Sequence, residues 1–143
     1  MGVSKISIGA EVTVTNTISR DTGELKISKV FDPLTSGFTG TFTINYDCDD
    51  GETHDGTVTL AAGGSQTITG IPTGTICTVS EPTLPTVPEG WIFGTPSFNP
   101  EGGVVTVSEV SPIYAEVVVT NSISQVLSNW VFYFPIFYNS GNP

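Results

Sequence analysis

Leu25-Lys26-Ile27-Ser28-Lys29-Val30-Phe31-Asp32 alternates residue character and reads as a β-strand with two unlike faces. Leu25, Ile27, Lys29 and Phe31 share one face, and Lys26, Ser28 and Val30 take the other. Lys26 belongs in water. Lys29 points the same way as three large apolar residues, and an ammonium there is costly unless something compensates for its lost hydration. Such a strand needs a sheet around it, and whatever compensates Lys29 becomes a candidate site.

The rest of the chain supplies that sheet. At 143 residues it is long enough for one domain with a real core and short extras. Acidic residues outnumber basic ones 14 to 4, which argues against nucleic acid or an anionic membrane surface as partner. Thr, Ser, Gly and Val are abundant, and charged residues are only 13% of the chain, a balance that favours all-β structure. No segment has helical periodicity. Strands are expected over residues 24–31, 39–48, 57–60, 65–69, 75–81, 91–93, 104–107 and 114–123. Turns are expected at 47–56, 61–64 and 71–74, and a proline-rich loop at 82–90. Short strands between Gly/Pro turns at this spacing predict an all-β, antiparallel β-sandwich of about seven strands.

Ala10-Glu11-Val12-Thr13-Val14-Thr15-Asn16-Thr17-Ile18-Ser19 is repeated, with conservative changes, as Ala115-Glu116-Val117-Val118-Val119-Thr120-Asn121-Ser122-Ile123-Ser124. An internal repeat at domain spacing points to tandem modules. Three regions follow: residues 1–20, ending in a closing-strand copy from a preceding repeat or a strand donated to a neighbour; residues 21–124, one complete sandwich repeat; and residues 125–143, an aromatic-rich tail or extra strand. Met1 to Lys5 lead into no long apolar run, so no signal peptide is read there. Trp130 to Tyr138 is very apolar yet far shorter than the roughly 20 residues of a membrane span. Packing on the domain or self-association is expected of it, and no membrane insertion.

Three polar side chains fall on inward faces: Lys29, Glu81 beside Cys77 and Val79, and Asn121 beside Val117, Val119 and Ile123. They occupy the first strand, an intervening strand and the last strand, and first and last strands of a sandwich are commonly neighbours. Burial favours a neutral, nucleophilic amine, and a carboxyl shielded from water keeps its proton more readily. Such an acid can polarise the Asn121 carboxamide and pass a proton to departing ammonia, leaving a Lys29–Asn121 amide. The residues equally allow a buried Lys29–Glu81 ion pair with a hydrogen-bonded Asn121, or a lysine that snorkels to the sheet edge. Asn16, the counterpart of Asn121, is an alternative acceptor between molecules.

Gly23-Glu24-Leu25-Lys26-Ile27-Ser28-Lys29-Val30 resembles the first strand of Cna B-type (SpaA-like, prealbumin-like) repeats. Gly74-Thr75-Ile76-Cys77-Thr78-Val79-Ser80-Glu81, followed by Pro88-Glu89-Gly90-Trp91, is similar to their glutamate strand and its Pro-x-Gly-aromatic loop, and Val117-Val118-Val119-Thr120-Asn121 to their terminal strand. With Tyr46-x-Cys48 and the cysteine in the glutamate strand, the chain looks most like the DUF5979 repeats of actinobacterial surface proteins. The resemblance covers Gly23 to Ile123. It implies an Ig-like (Cna B, prealbumin-like) sandwich that serves as a stalk or adhesin module at the bacterial cell surface. It also implies Lys29 and Asn121 as the isopeptide pair, with Glu81 as proton shuttle. Cys48 and Cys77 sit at inward strand positions, which two buried thiols would also satisfy. The composition and the implied extracellular setting point to a Cys48–Cys77 disulfide. A disulfide departs from the simple isopeptide scheme, since it already provides a covalent tie.

Asp47, Asp49, Asp50 and Asp55 lie in an acidic, glycine-containing stretch that invites calcium. They lack the full loop pattern with its closing glutamate, and a solvated hairpin turn is the preferred reading. His54 has no second ligand beside it in sequence. No nucleophile–base pair, phosphate loop or glycosidase carboxylate pair can be assembled, so neither a cofactor nor a conventional enzyme is expected. The expected partners are neighbouring repeats of the same protein, with homo-oligomers through residues 8–19 or 129–138 as alternatives. A self-assembling fibre subunit and a ligand-binding module using Trp91, Tyr114 or the loop 82–100 are the rival functions.

Overall fold

The alternation at residues 25–32 is realised as the middle of β1, Thr22–Asp32. The structure is a computed structural model and describes residues 2–4, 8–32, 37–109, 115–127 and 141. After β1 come β2 (Thr41–Cys48), β3 (Gly56–Ala61), β4 (Ser65–Pro72), β5 (Ile76–Thr83), β6 (Trp91–Phe93), β7 (Ser97–Asn99), a single 3₁₀ turn (Glu101–Gly103), β8 (Val104–Thr106) and β9 (Ala115–Gln125). One sheet has the order β4-β1-β9-β6, with β7 also on β9; the other has the order β3-β2-β5-β8. The expected all-β sandwich is therefore present. Among the described residues it has nine strands where about seven were expected, and no helix there is long and apolar enough to cross a membrane.

The first and last strands are neighbours, but they run parallel. Leu25 pairs with Ala115, Lys29 with Val119 and Phe31 with Asn121. This corrects the purely antiparallel expectation. A parallel pair needs a long crossover, and here the whole second sheet lies between the two strands in sequence. Both strands are interior to their sheet. β4 covers the other edge of β1, while β6 and β7 line up in succession along the other edge of β9. Enclosure on both edges keeps water from the inward side chains midway along β1 and β9.

The inward faces make two apolar clusters. The larger contains Leu25, Ile27, Ile44, Val79, Val117 and Val119 among others. The smaller is built on Phe31, Phe42 and Ile123, with Phe38, Trp91 and Phe93 packed against it. Each fully buried aliphatic or aromatic side chain contributes about 1.5–3 kcal/mol.

One expected boundary moves. Residues 71–74 were expected as a turn, but β4 runs through Ile71 and Pro72, pairing with Gly23 and Thr22. β4 is an edge strand, so the missing Pro72 N–H leaves no ladder bond unmade. β7 was not expected at all. The expected aromatic segment Trp130 to Tyr138 lies outside the described residues, as does Tyr114.

Glycine is required where β1 begins. Gly23 is buried and bridges to Glu109, and a Cβ there would run into the Ser108 carbonyl and Val107 Cγ1. Gly23→Ala is expected to lower the unfolding free energy by roughly 1–3 kcal/mol, read as a fall in the urea midpoint at unchanged slope.

Candidate cross-link site

Lys29 is held from both its backbone and its side chain. Its N–H donates to Gly64 O (2.8 Å), and its carbonyl accepts from Gly63 N–H (2.9 Å), so the β3–β4 turn clamps this point of β1. Gly63 has φ of 78°, a conformation that suits glycine. The alternation of β1 then sends the side chain inward, where Lys29 is 1% exposed despite its length.

Asn121 lies two residues past Val119, the register partner of Lys29, on the same inward face of β9. Lys29 Nζ reaches along that diagonal and donates to Asn121 Oδ1. It also lies 3.5 Å from the Val119 carbonyl oxygen. From the opposite sheet β5 presents Glu81, whose Oε1 is 3.7 Å from Nζ, and both side chains are wholly shielded from solvent. The three polar residues predicted from sequence are thus brought together. They form a polar layer between the two apolar clusters, since Ile27 and Val119 belong to the larger and Phe31 and Ile123 to the smaller.

Phe42 of β2 was not among the candidate site residues, yet it is fully buried beside Lys29. Its ring centroid is 4.2 Å from Nζ, so it forms one wall of the lysine pocket. Inward parity in β2 was the available signal, though nothing in sequence says which inward residue of the second sheet meets Lys29.

The layer is incompletely satisfied. Both Glu81 carboxyl oxygens and Asn121 Nδ2 are buried with no hydrogen-bond partner. A buried polar atom left this way costs about 1–3 kcal/mol. Burial pushes the Lys29 ammonium down to about 8, with the negative charge of Glu81 opposing the shift. The amine is therefore far more available as a neutral nucleophile than an exposed lysine. An amine, a carboxamide and a carboxyl in a dry pocket can exchange ammonia for an amide, and they need no cofactor to do so.

On the outer face of the same strand pair, Glu116 accepts a hydrogen bond from Ser28 Oγ (2.7 Å) and pairs with Lys26 Nζ (3.2 Å). The Ser28 hydroxyl, helped by the Lys26 charge, holds the Glu116 carboxyl below its ordinary range.

Cys48 and Cys77 are directly opposite each other in the β2–β5 ladder and form a disulfide. It ties neighbours of one sheet, whereas Lys29 and Asn121 are on neighbours of the other. The disulfide and the Lys29–Asn121 contact therefore lie in different sheets.

Other predicted residues are not gathered into sites. Asp55 accepts from Cys48 N–H (2.7 Å) and Asp49 from Ile76 N–H (2.8 Å), while Asp50 binds the His54 backbone and ring. The His54 hydrogen bond also holds the Asp50 carboxyl below its ordinary range. Asp47 joins no such cluster, and among the described residues no three potential metal-binding side chains converge. Trp91 is half-buried against the Phe31 cluster. A depression of about 390 Å³ between residues 37–40 and 86–88 has no ionisable side chain in its lining. Residues 8–20 are exposed and in no strand, so Asn16 does not approach the buried Lys29 of its own domain.

No curated protein matches the sequence. Among solved structures the chain is similar to a bacterial adhesin from Mobiluncus mulieris containing intramolecular disulfide, isopeptide and ester bond cross-links, at 22% identity and a TM-score of 0.48. That match covers 71% of this chain and 41% of the other. It is also similar to the major pilin protein T-13 from Streptococcus pyogenes, at 20% identity and a TM-score of 0.46, covering 71% of this chain and 45% of the other. The chain spans less than half the length of each. A family profile described as a domain of unknown function, DUF5979, matches residues 25–124. That interval holds β1 from Leu25 onward and nearly all of β9, and with most of its length matched the chain belongs to the DUF5979 family.

Proposed function

We propose that the domain is a structural spacer of a bacterial surface protein, tied by the Cys48–Cys77 disulfide and by an amide between Lys29 and Asn121. The observation that carries this reading is the contact of Lys29 Nζ with the Asn121 carboxamide inside a dry layer that also holds Glu81. The neutral amine attacks Asn121 Cγ, forming Nζ–Cγ as Cγ–Nδ2 breaks. Glu81 takes the proton lost by the amine and delivers it to Nδ2, which departs as ammonia. No oxidant or other reactant is consumed. The reaction occurs once per molecule and ends in a covalent tie, so it is maturation and not turnover.

The unsatisfied atoms support this direction. Asn121 Nδ2, which has no partner, is the atom that leaves. The product amide N–H can donate to Glu81, and the buried positive charge is gone. The disulfide suits an oxidising, extracellular setting, and neighbouring repeats of the same protein are the natural partners of a spacer.

The test is an intact mass under reducing conditions. The parent is expected to weigh one ammonia less than its sequence, and Lys29→Ala and Glu81→Ala to keep the full mass. A parent at full mass overturns the cross-link and leaves the disulfide alone. The rate carries a second expectation. In chain recovered unfolded and then refolded, cross-linking should accelerate about tenfold per pH unit up to a pH near the lowered Lys29 value and then level off. A rate indifferent to pH below that value would contradict a neutral-amine nucleophile.

A further inference from the structure

Residues 10–19 repeat β9 in a pattern that the fold now explains. The copies differ only at Thr13/Val118 and Thr17/Ser122. Val118 and Ser122 are outward positions of β9, while the buried set Val117, Val119, Asn121 and Ile123 recurs unchanged as Val12, Val14, Asn16 and Ile18. Glu11 likewise repeats Glu116, which binds Ser28 and Lys26 across the outer face. The segment therefore carries every side chain that β9 uses to dock, yet Val12, Val14 and Ile18 are 82%, 78% and 95% exposed.

Its own domain cannot accept it. β9 already fills the place beside β1, and chain length forbids an exchange. In the β9 register Ser122 lies opposite Asp32, so Thr17 would have to lie there too. Thr17 is five residues from Thr22, a reach of at most about 18 Å. Asp32 is ten strand residues from Thr22, about 33 Å away. The strand must run parallel to β1, and the short linker cannot return to the start of β1.

We propose that residues 10–19 are the closing strand of an upstream copy of this domain in the same polypeptide, with Asn16 as acceptor for that copy's equivalent of Lys29. Two observations favour an upstream domain over a separate molecule. The repeat offset of 105 residues, Ala10 to Ala115, matches the length of the domain, and a separate molecule has its slot filled by its own β9. The junction is also fixed. Asp21 O accepts from Thr73 N–H (2.8 Å), and Arg20 Nη2 donates to Thr73 O (3.3 Å), so the linker is held against the β4–β5 turn. The chemistry rests on the Lys29–Asn121 reading: the upstream amine bonds to Asn16 Cγ, and Asn16 Nδ2 leaves as ammonia.

The experiment joins residues 22–114 directly ahead of Ala10 of the chain and compares the product with the chain alone. Backbone amides of residues 12–18 are expected to exchange at least about a hundredfold more slowly in the tandem protein. The tandem should lose two ammonia molecules and its Asn16→Ala variant one. Val14→Asp should abolish both the protection and the second loss while the downstream domain keeps its own. Unchanged exchange of residues 12–18 overturns the proposal, as does a two-ammonia deficit that survives Asn16→Ala. If the chain alone loses no ammonia, the Lys29–Asn121 reading falls, and the exchange measurement alone decides the strand assignment.

Discussion

Glu81→Gln will lower the unfolding free energy by about 4–5 kcal/mol, the value the loop-closure relation assigns to a tie across the 92-residue Lys29–Asn121 separation. Glutamine preserves the size of the side chain and can still hydrogen-bond, but it cannot carry a proton from the amine to the leaving nitrogen. The loss therefore measures the missing cross-link more than a packing defect. Glu81→Ala will cost more, because it also removes the hydrogen-bond acceptor and the volume that glutamine keeps beside the buried amine, a further loss of about 1–3 kcal/mol. The two costs together approach the whole stability of a typical domain, about 5–15 kcal/mol. Glu81→Ala should then sit near its unfolding midpoint in dilute urea, while Glu81→Gln remains folded. Urea denaturation followed by circular dichroism, with intact masses to establish the covalent state, checks both. A Glu81→Gln midpoint equal to the parent's would sink the claim that a cross-link stabilises this sheet.

The second large effect is in the other sheet. Replacing both Cys48 and Cys77 by alanine will cost about 3–4 kcal/mol, from the sequence separation of 29 that the disulfide closes. Glu81 shares β5 with Cys77 but lies four residues further along the strand, about 13 Å away. The cysteine and Glu81→Gln losses should add to within about 0.5 kcal/mol in a double-mutant cycle. A coupling energy beyond about 1 kcal/mol would overturn this additivity, since nesting the disulfide loop inside the Lys29–Asn121 loop accounts for only about 0.3 kcal/mol. Reductant alone should reproduce the cysteine loss in the parent and change nothing in the alanine variant.

Much of this was legible because strand alternation assigns faces one residue at a time. The inward positions of Lys29, Glu81 and Asn121 followed from parity, and so did those of the two cysteines. Parity does not reveal strand direction, so the parallel pairing of β1 and β9 was invisible, and with it the diagonal that brings Lys29 to Asn121 instead of to its register partner Val119. Ser97-Phe98-Asn99 is too short to show a period and lies between Pro96 and Pro100, so β7 was not expected. Pro72 suggested a turn because the edge position of β4, which tolerates it, is a property of the sheet and not of the local sequence. The carboxylates of the acidic stretch resembled ligands because sequence cannot show that nearby backbone N–H groups already use them.

The parallel pairing of β1 and β9 has a mechanical consequence. The chain enters β1 at Thr22 and leaves β9 at Gln125, at opposite ends of the strand pair, so traction on the termini slides the two strands past each other. Their ladder bonds are then loaded together instead of being peeled one by one. With the Lys29–Asn121 amide in place, tension entering at Thr22 crosses to β9 at that bond and exits through Gln125. Residues 30–120, including the whole disulfide-bonded sheet, hang from this load path as an unstressed loop. A row of such domains would lengthen under tension only at its linkers.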